Sequence, residues 1–262
     1  MRTLEDEGAQ TSAAATGDGA LDRGADAPQR TAARLARLAG ALLLVMTVAA
    51  IFAEVGTRAA MFVAGDAHET ATRILAAPEQ FSLGFVGYLV AFLCDVPVAI
   101  LFYALLRPFT RTWALTAAAF RLVYTAIVGA VLLHYAGALI VLQDPGLAAL
   151  GVAQREALAL SHLQLFDAGF HLSLVFFGVH LTLLGALLLR ARLLPTALSA
   201  LVTLGGVAYL VDNIAYFIAP AVKATLGPVL AALAMAEVLL ALWLVAKGVR
   251  WRPPVGGRIR GA

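Results

Sequence analysis

Charged residues and cysteines are scarce in this sequence, and both shortages restrict what the protein can be. Only 13% of the 262 residues are charged and 61% are hydrophobic, whereas soluble globular proteins have roughly 25% and 45–50%. The composition therefore predicts an integral membrane protein. Cys94 is the one cysteine, which excludes internal disulfides and cysteine-rich metal or redox sites.

Familiar enzyme motifs are also missing. The sequence has no phosphate-binding Gly-Lys loop, no serine nucleophile elbow and no haem-attachment motif. The isoelectric point near 9.3 does not indicate nucleic-acid binding, because the basic residues are scattered over short loops and both tails. Lys223 and Lys247 are the only lysines, a bias that hints at a GC-rich bacterial genome. We expect no cofactor and no nucleic-acid partner.

Six long apolar runs dominate the chain. About 20 apolar residues suffice for a helix to cross a bilayer, and backbone hydrogen bonds left open in lipid are too costly for other structures. The fold class predicted is all-α: an integral membrane bundle of six transmembrane helices. The predicted spans are Leu38–Thr57, Ser82–Leu106, Trp113–Leu142, Leu163–Leu189, Leu193–Ala219 and Leu226–Ala246.

The ends of the chain differ from its centre. Residues 1–33 are predicted to form a disordered acidic tail, because their early part is rich in acidic and small residues and lacks aromatics. Residues 34–248 would form the six-helix domain, and residues 249–262 a basic cytoplasmic tail. Between the first two spans, Asp66 and Glu69 form a capping-box pattern that predicts a short helix through Ala76.

Basic residues predict the orientation. With the N-terminus in the cytoplasm, 14 Lys and Arg residues lie on the cytoplasmic side and four on the outer side, namely Arg58, Arg73, Arg155 and Lys223. Short loops rich in Lys and Arg stay cytoplasmic. We therefore expect both termini in the cytoplasm and a multipass protein of the cell (inner) membrane.

Arg121 is the one formal charge within the third apolar run. A cation at the bilayer centre costs at least ~2.5–3.5 kcal/mol, so it is expected to have a partner or a water-filled cavity. Arg121 lies roughly 13 Å from the cytoplasmic end of its span at 1.5 Å per residue. Asp95, His180 and Glu237 fall at similar depths, which predicts an inner layer of four residues. An ion pair of Arg121 with Glu237 or Asp95 would either hold helices together or serve a transport or catalytic role.

A second set of polar residues lies nearer the predicted outer face. Asp167 and His171 are four residues apart and share one side of a helix. The predicted outer cluster comprises His134, Asp167, His171, Asp212, Asn213 and Glu54. Imidazole and carboxylate suit zinc, but their spacing matches no recognised ligand motif, so hydrogen bonding between helices is the alternative. Glu54 and Arg58 are expected to pair at the outer mouth.

One helical hairpin carries a family resemblance. The segment Phe170–Gly185, followed by Leu194–Pro195 and Gly205–Asn213, resembles domain of unknown function 4386, a family of uncharacterised bacterial multipass membrane proteins. The resemblance covers roughly residues 34–220, with Ala186 as a departure. The matching positions are Arg121, His171, Gly178, His180, Gly185, Pro195, Gly206, Tyr209 and Asp212. The family has no established activity, so the resemblance implies an architecture without a mechanism.

Three classes of function stay open on this evidence. The first is a non-enzymatic membrane protein that transports a small molecule or assists another envelope protein. The second is an intramembrane hydrolase that uses the outer cluster to hold a metal and activate water. The third is a structural or sensory scaffold whose charges lock the helices together. The bilayer is the expected partner, together with an unidentified membrane protein or a second copy of the chain.

Overall fold

The computed structural model describes the backbone of residues 5–251 and the side chains of residues 28–233 and 235–251. This part of the chain is helical and contains no strand. The elements are α1 (Glu5–Ala53), a π-helical turn (Glu54–Arg58), α2 (Ala59–Met61), α3 (Ala67–Ala76), α4 (Pro78–Leu106), α5 (Arg111–Gln143), a 3₁₀ turn (Pro145–Leu147), α6 (Val152–Ala191), α7 (Thr196–Ile218), α8 (Pro220–Ala234) and α9 (Ala236–Ala246).

Six stretches are long and apolar enough to cross a membrane, which confirms the predicted fold class. Four of the six have both ends within about six residues of prediction. The first and fourth stretches begin earlier than predicted, because α1 extends N-terminal to the apolar run and α6 begins at Val152. The stretches are Pro28–Met61, Pro78–Leu106, Arg111–Gln143, Val152–Ala191, Thr196–Ile218 and Pro220–Ala246.

The structure describes most of the N-terminal tail as helix and almost none of the C-terminal tail. α1 begins at Glu5, so helix takes in most of the segment for which the sequence predicts a disordered tail. Residues 252–262 of the basic tail lie outside the described residues. The division of the chain into three parts stays a prediction.

Side-chain exposure separates a lipid-facing surface from a packed interior. Large apolar side chains on the outside of the bundle are more than half exposed, as at Leu93 and Leu133. The spans pack in a closed order, α1 against α4, α4 against α5, α5 against α6, α6 against α7, α7 against α9, and α9 against α1. The bundle therefore encloses a centre that several helices face at once.

Small residues allow close approach between α6 and α7. A Cβ atom added to Gly178 would lie 3.0 Å from the Gly206 carbonyl oxygen, and one added to Gly185 would lie 2.5 Å from the Thr203 amide nitrogen. Without a hydrophobic drive between helices in lipid, such contacts between backbones provide much of the packing energy. Arg192 adopts a left-handed conformation (φ 52°) at the turn between the two helices.

The sixth span differs from its prediction as one helix. It is interrupted at Met235, between α8 and α9. The interruption is one residue long, and Met235 itself keeps helical dihedral angles (φ −63°, ψ −8°). Gly205 of α7 faces this point, where a Cβ atom would lie 2.8 Å from the Leu233 carbonyl oxygen.

Both ends of the bundle domain meet on one face of the molecule. The Gln29 side-chain amide donates to the Val249 carbonyl at 3.2 Å and accepts from the Trp251 amide at 2.8 Å. The Trp251 ring packs edge-on against Phe109, which lies between α4 and α5. A chain that crosses the membrane an even number of times has both ends on the same side, as seen here. Which side of the membrane it occupies stays a prediction.

The short helix α3 begins and ends where predicted, with Asp66 as its N-cap. It lacks the reciprocal bond of a capping box, because the Asp66 amide donates to the Val63 carbonyl. The Asp66 carboxylate accepts from the Glu69 amide at 2.9 Å. α3 packs against α6, where the His68 ring lies 3.1 Å from the Glu156 carboxylate. This contact and its negative charge raise the pKa of His68 above its usual 6.5.

Candidate functional site

The four residues of the predicted inner layer meet at the centre of the bundle. Arg121 (α5), Asp95 (α4) and His180 (α6) are each at most 1% exposed, and the Glu237 side chain (α9) is 13% exposed. Four different helices thus contribute one side chain each to a single contact group. The sequence predicted a common level for these four residues from their positions along the helices, and the packing of the bundle places them in contact.

Asp95 is the strongest partner of Arg121. Its Oδ1 lies 2.8 Å from Nε and 2.5 Å from Nη2 of the guanidinium. Glu237 contacts the guanidinium more weakly, with Oε1 at 3.4 Å from both Nη1 and Nη2. The sequence offered Glu237 and Asp95 as alternatives. Both carboxylates contact Arg121, and the distances rank Asp95 first.

His180 accepts a hydrogen bond from Arg121. Its Nδ1 lies 2.8 Å from the Ala117 carbonyl oxygen, and because a carbonyl can only accept, Nδ1 must carry the proton. Nε2 then presents a lone pair to Arg121 Nη1 at 3.2 Å. The ring is therefore neutral and positioned by the backbone of α5.

The guanidinium has no nitrogen free for another ligand. Nη2 also contacts the Met46 sulfur at 3.6 Å, and the Phe177 ring lies 5.3 Å from the guanidinium carbon. Every Arg121 nitrogen is thus occupied by an acceptor of the protein itself. One buried oxygen stands in contrast, because Asp95 Oδ2 has no hydrogen-bond partner among the described residues. An unpaired buried polar atom costs about 1–3 kcal/mol.

A cavity of about 270 Å³ adjoins the inner layer, and we call it the central cavity. Asp95 and Glu237 contribute to its wall, whereas Arg121 and His180 do not. Met235, at the interruption between α8 and α9, also lines it. Its aromatic lining comes from α4 through α7: Tyr88, Phe92, Tyr124, Phe170, Phe177 and Tyr209.

A second cavity of about 360 Å³, the outer chamber, lies beside the first. Both cavities are lined by Ala50, Ile51, Tyr88 and Phe170, so they share a wall. The Tyr88 hydroxyl in this wall donates to Glu54 Oε2 at 2.5 Å. The outer chamber is polar where the π-helical turn places Glu54 and Arg58 on one side, a helical irregularity that recurs at functional sites.

The predicted outer cluster divides into two connected groups. In the first group, Arg58 Nη2 lies 2.5 Å from Glu54 Oε1, which is the predicted pair at the outer mouth. Arg58 Nη1 also lies 3.4 Å from Asp167 Oδ1. The Tyr216 hydroxyl donates to Asp167 Oδ2 at 3.0 Å and its ring stacks on His171, which leads to the second group.

Lys223 organises the second group. Its ammonium lies 3.2 Å from His171 Nε2 and 3.5 Å from Asp212 Oδ2. His171 Nδ1 lies 2.6 Å from Asn213 Oδ1, so the ring is held between an amide oxygen and a cation. The sequence missed this role of Lys223, because a lysine in a short outer loop carries no signal beyond orientation.

His134 does not join the outer cluster, which corrects the prediction of six members. Its Nδ1 lies 3.1 Å from Nδ1 of His162 on α6. Gly137, one turn further along α5, makes room for this pair, since a Cβ atom there would lie 2.7 Å from the His162 ring. The side chain of His134 points to the neighbouring α5–α6 interface.

This architecture defines an α-helical multipass membrane protein with a buried charged layer. The chain belongs to the family described as domain of unknown function (DUF4386), whose model matches residues 38–248. An uncharacterized protein of Archaeoglobus fulgidus is 31% identical over 163 residues, which cover 62% of this chain and 82% of the relative. No solved structure matches the chain.

Proposed function

We propose that this protein transports a small molecule across the membrane and binds it in the central cavity. The observation that carries the proposal is the buried Asp95 carboxylate, which contributes to the wall of this cavity with Oδ2 unpaired. A purely structural ion pair would be expected to satisfy both oxygens, since an incompletely bonded buried charge destabilises the fold. A ligand or water in the cavity would supply the missing partner.

The interrupted sixth span supports a transport role. Transporter binding sites commonly lie near the membrane midplane beside discontinuous helices, where irregular backbone is tolerated because it lines a cavity. The interruption at Met235 lies in the wall of the central cavity, two residues before Glu237. The two neighbouring cavities, which share a wall, would form the route from the outer cluster to the inner layer.

The other two functions receive less support. A metal-dependent hydrolase would need three ligands, and no three His, Cys, Asp or Glu side chains converge within the described residues. Lys223 beside His171 would also repel a cation there. A scaffold would explain the ion pairs but not the cavity at their centre. We further propose, from the basic-residue count, that both termini are cytoplasmic and that the membrane is the inner one.

Access to the central cavity from both sides of the membrane is the test. The single cysteine allows a Cys94→Ala background, to which Ala50→Cys adds a thiol in the wall shared by both cavities. A membrane-impermeant methanethiosulfonate is applied from either side of vesicles of known orientation. A transporter should react from both sides, because alternating access opens the same site in turn.

Leu93→Cys in the same background is the matched control. Leu93 is 63% exposed on the lipid-facing side of α4, so a thiol there should react from neither side. Labelling of Ala50→Cys from one side only, under all conditions, would contradict transport and leave a binding or sensory protein. No labelling from either side would favour a scaffold.

A further inference from the structure

We propose that the ligand of the central cavity is a small organic cation of the substituted-ammonium class. This inference rests on the proposed function, since it names the chemistry that the same cavity would accept. It is carried by three features of the cavity wall: its charge, the hydrogen-bonding capacity left free, and its aromatic surface.

Charge favours a cation over an anion. Arg121 faces two carboxyl groups, Asp95 and Glu237, and His180 is neutral, so the inner layer has one acidic group more than it has cations. Because Arg121 is saturated by protein acceptors and does not line the cavity, it offers nothing to an anionic ligand. A single positive charge in the cavity would balance the layer.

Free hydrogen-bonding groups in the wall are oxygens. Glu237 is the accessible carboxyl group, with its side chain 13% exposed, and it contacts Arg121 through Oε1 alone, which leaves Oε2 for a ligand. Asp95 Oδ2 also has no partner, although this oxygen is itself enclosed. The hydroxyls of Tyr124 and Tyr209 make no hydrogen bond within the side chains the structure describes. The cavity thus supplies carboxylate acceptors without a competing cationic donor.

The rest of the wall is aromatic. Six aromatic side chains line the cavity, and the faces of such rings attract ammonium groups, most strongly where water is excluded. A bare metal ion would instead require a set of converging oxygen ligands. The volume of about 270 Å³ corresponds to roughly nine water molecules at ~30 Å³ each, so the ligand would be small.

The test compares choline with its neutral isostere 3,3-dimethylbutan-1-ol, using the purified full-length protein. Calorimetry and protection of Ala50→Cys from the thiol reagent should both detect choline, and the isostere should bind at least about tenfold more weakly, because it lacks the charge. Glu237→Gln should weaken choline binding about tenfold and leave the weak binding of the isostere unchanged.

Aromatic variants separate a cation–π contribution from simple packing. Tyr209→Phe keeps the ring and should retain choline binding, whereas Tyr209→Leu should weaken it several-fold. Tyr216→Leu removes an aromatic ring outside the central cavity and is the matched control, with no expected effect. Should Tyr209→Leu unfold the protein, Phe92→Leu serves the same purpose in the opposite wall.

Several outcomes would overturn the inference. Equal binding of choline and its isostere, unchanged choline binding in Glu237→Gln, or no binding of choline and tetramethylammonium at millimolar concentration would each do so. These results leave the proposed transport untouched if Ala50→Cys still reacts from both sides of the membrane. Conversely, choline binding with access from one side only would support the cation site and contradict transport.

Discussion

The inner layer and the outer groups use the same residue types in opposite ways. Around Arg121 one cation meets two carboxylates at almost complete burial, and a carboxylate oxygen stays unpaired. In the outer groups the cations are Arg58 and Lys223, and they face three carboxylates. These side chains are only partly buried, with 15–39% exposed. Electrostatic interactions grow as the local dielectric falls. The inner layer should therefore dominate both stability and ligand recognition.

The largest expected effect follows loss of the central cation. Arg121→Leu would leave Asp95 and Glu237 as buried charges without a partner, so the free energy of unfolding should fall by about 3–5 kcal/mol. Equilibrium unfolding in mixed detergent micelles measures this change. Adding Asp95→Asn and Glu237→Gln to Arg121→Leu should recover most of the loss, because no buried charge remains. An unchanged stability of Arg121→Leu would mean that the layer is not isolated from water.

The two carboxylates should differ in their contributions. Asp95→Asn removes close charge-assisted contacts at 2.5–2.8 Å and should cost about 1.5–3 kcal/mol. Glu237→Gln alters contacts of 3.4 Å, which are long for hydrogen bonds, and should cost about 0.5–1.5 kcal/mol. The same unfolding measurement compares them. Equal losses would contradict the ranking of the two partners by distance.

Arg58→Gln should have a smaller effect, because it acts in the outer chamber. Partly exposed ion pairs contribute up to about 1 kcal/mol and weaken as salt is added. The loss should shrink between low and high ionic strength, whereas the loss in Arg121→Leu should hardly change. Unfolding at the two salt concentrations tests this contrast. A salt-sensitive Arg121→Leu with a salt-insensitive Arg58→Gln would reverse the comparison.

The smallest effect is expected at the exposed contact of His68 with Glu156. Because the folded-state pKa of His68 is raised above 6.5, the contact contributes fully below pH 6.5 and is lost as the pH rises through the higher folded value. α3 should therefore become more mobile over this interval. A nitroxide on Thr72→Cys in the Cys94→Ala background reports that mobility, and Glu156→Gln should abolish its pH dependence.

Depth and helix type were predictable from the sequence, while side-chain direction was less so. Each span followed from length and hydropathy alone, since lipid enforces helix on any long apolar segment. Arg121, Asp95, His180 and Glu237 could be assigned one level because helical rise is constant. The same counting placed His134 at the outer level but could not show that it turns toward His162. Direction depends on which helix lies beside it.

The cavity-lining aromatics carried no signal of their own. Tyr124, Phe177 and Tyr209 lie among many apolar residues, and nothing in their spacing distinguishes a wall of a cavity from a lipid-facing surface. The interruption at Met235 likewise lies in a run of good helix formers. The aromatic lining is assembled only when α4 through α7 pack together, and the interruption lies where α7, α8 and α9 meet.

The sequence by itself determined the six apolar spans, the family and the common level of the four inner-layer residues along their helices, because these depend on composition, sequence motifs and helical rise. Tertiary structure decided that Asp95 is the closest partner of Arg121 and that one of its oxygens stays unpaired. It also decided that a cavity, and not a packed core, adjoins the charges. Those features depend on the order of helices around the ring, which no local pattern in the chain encodes.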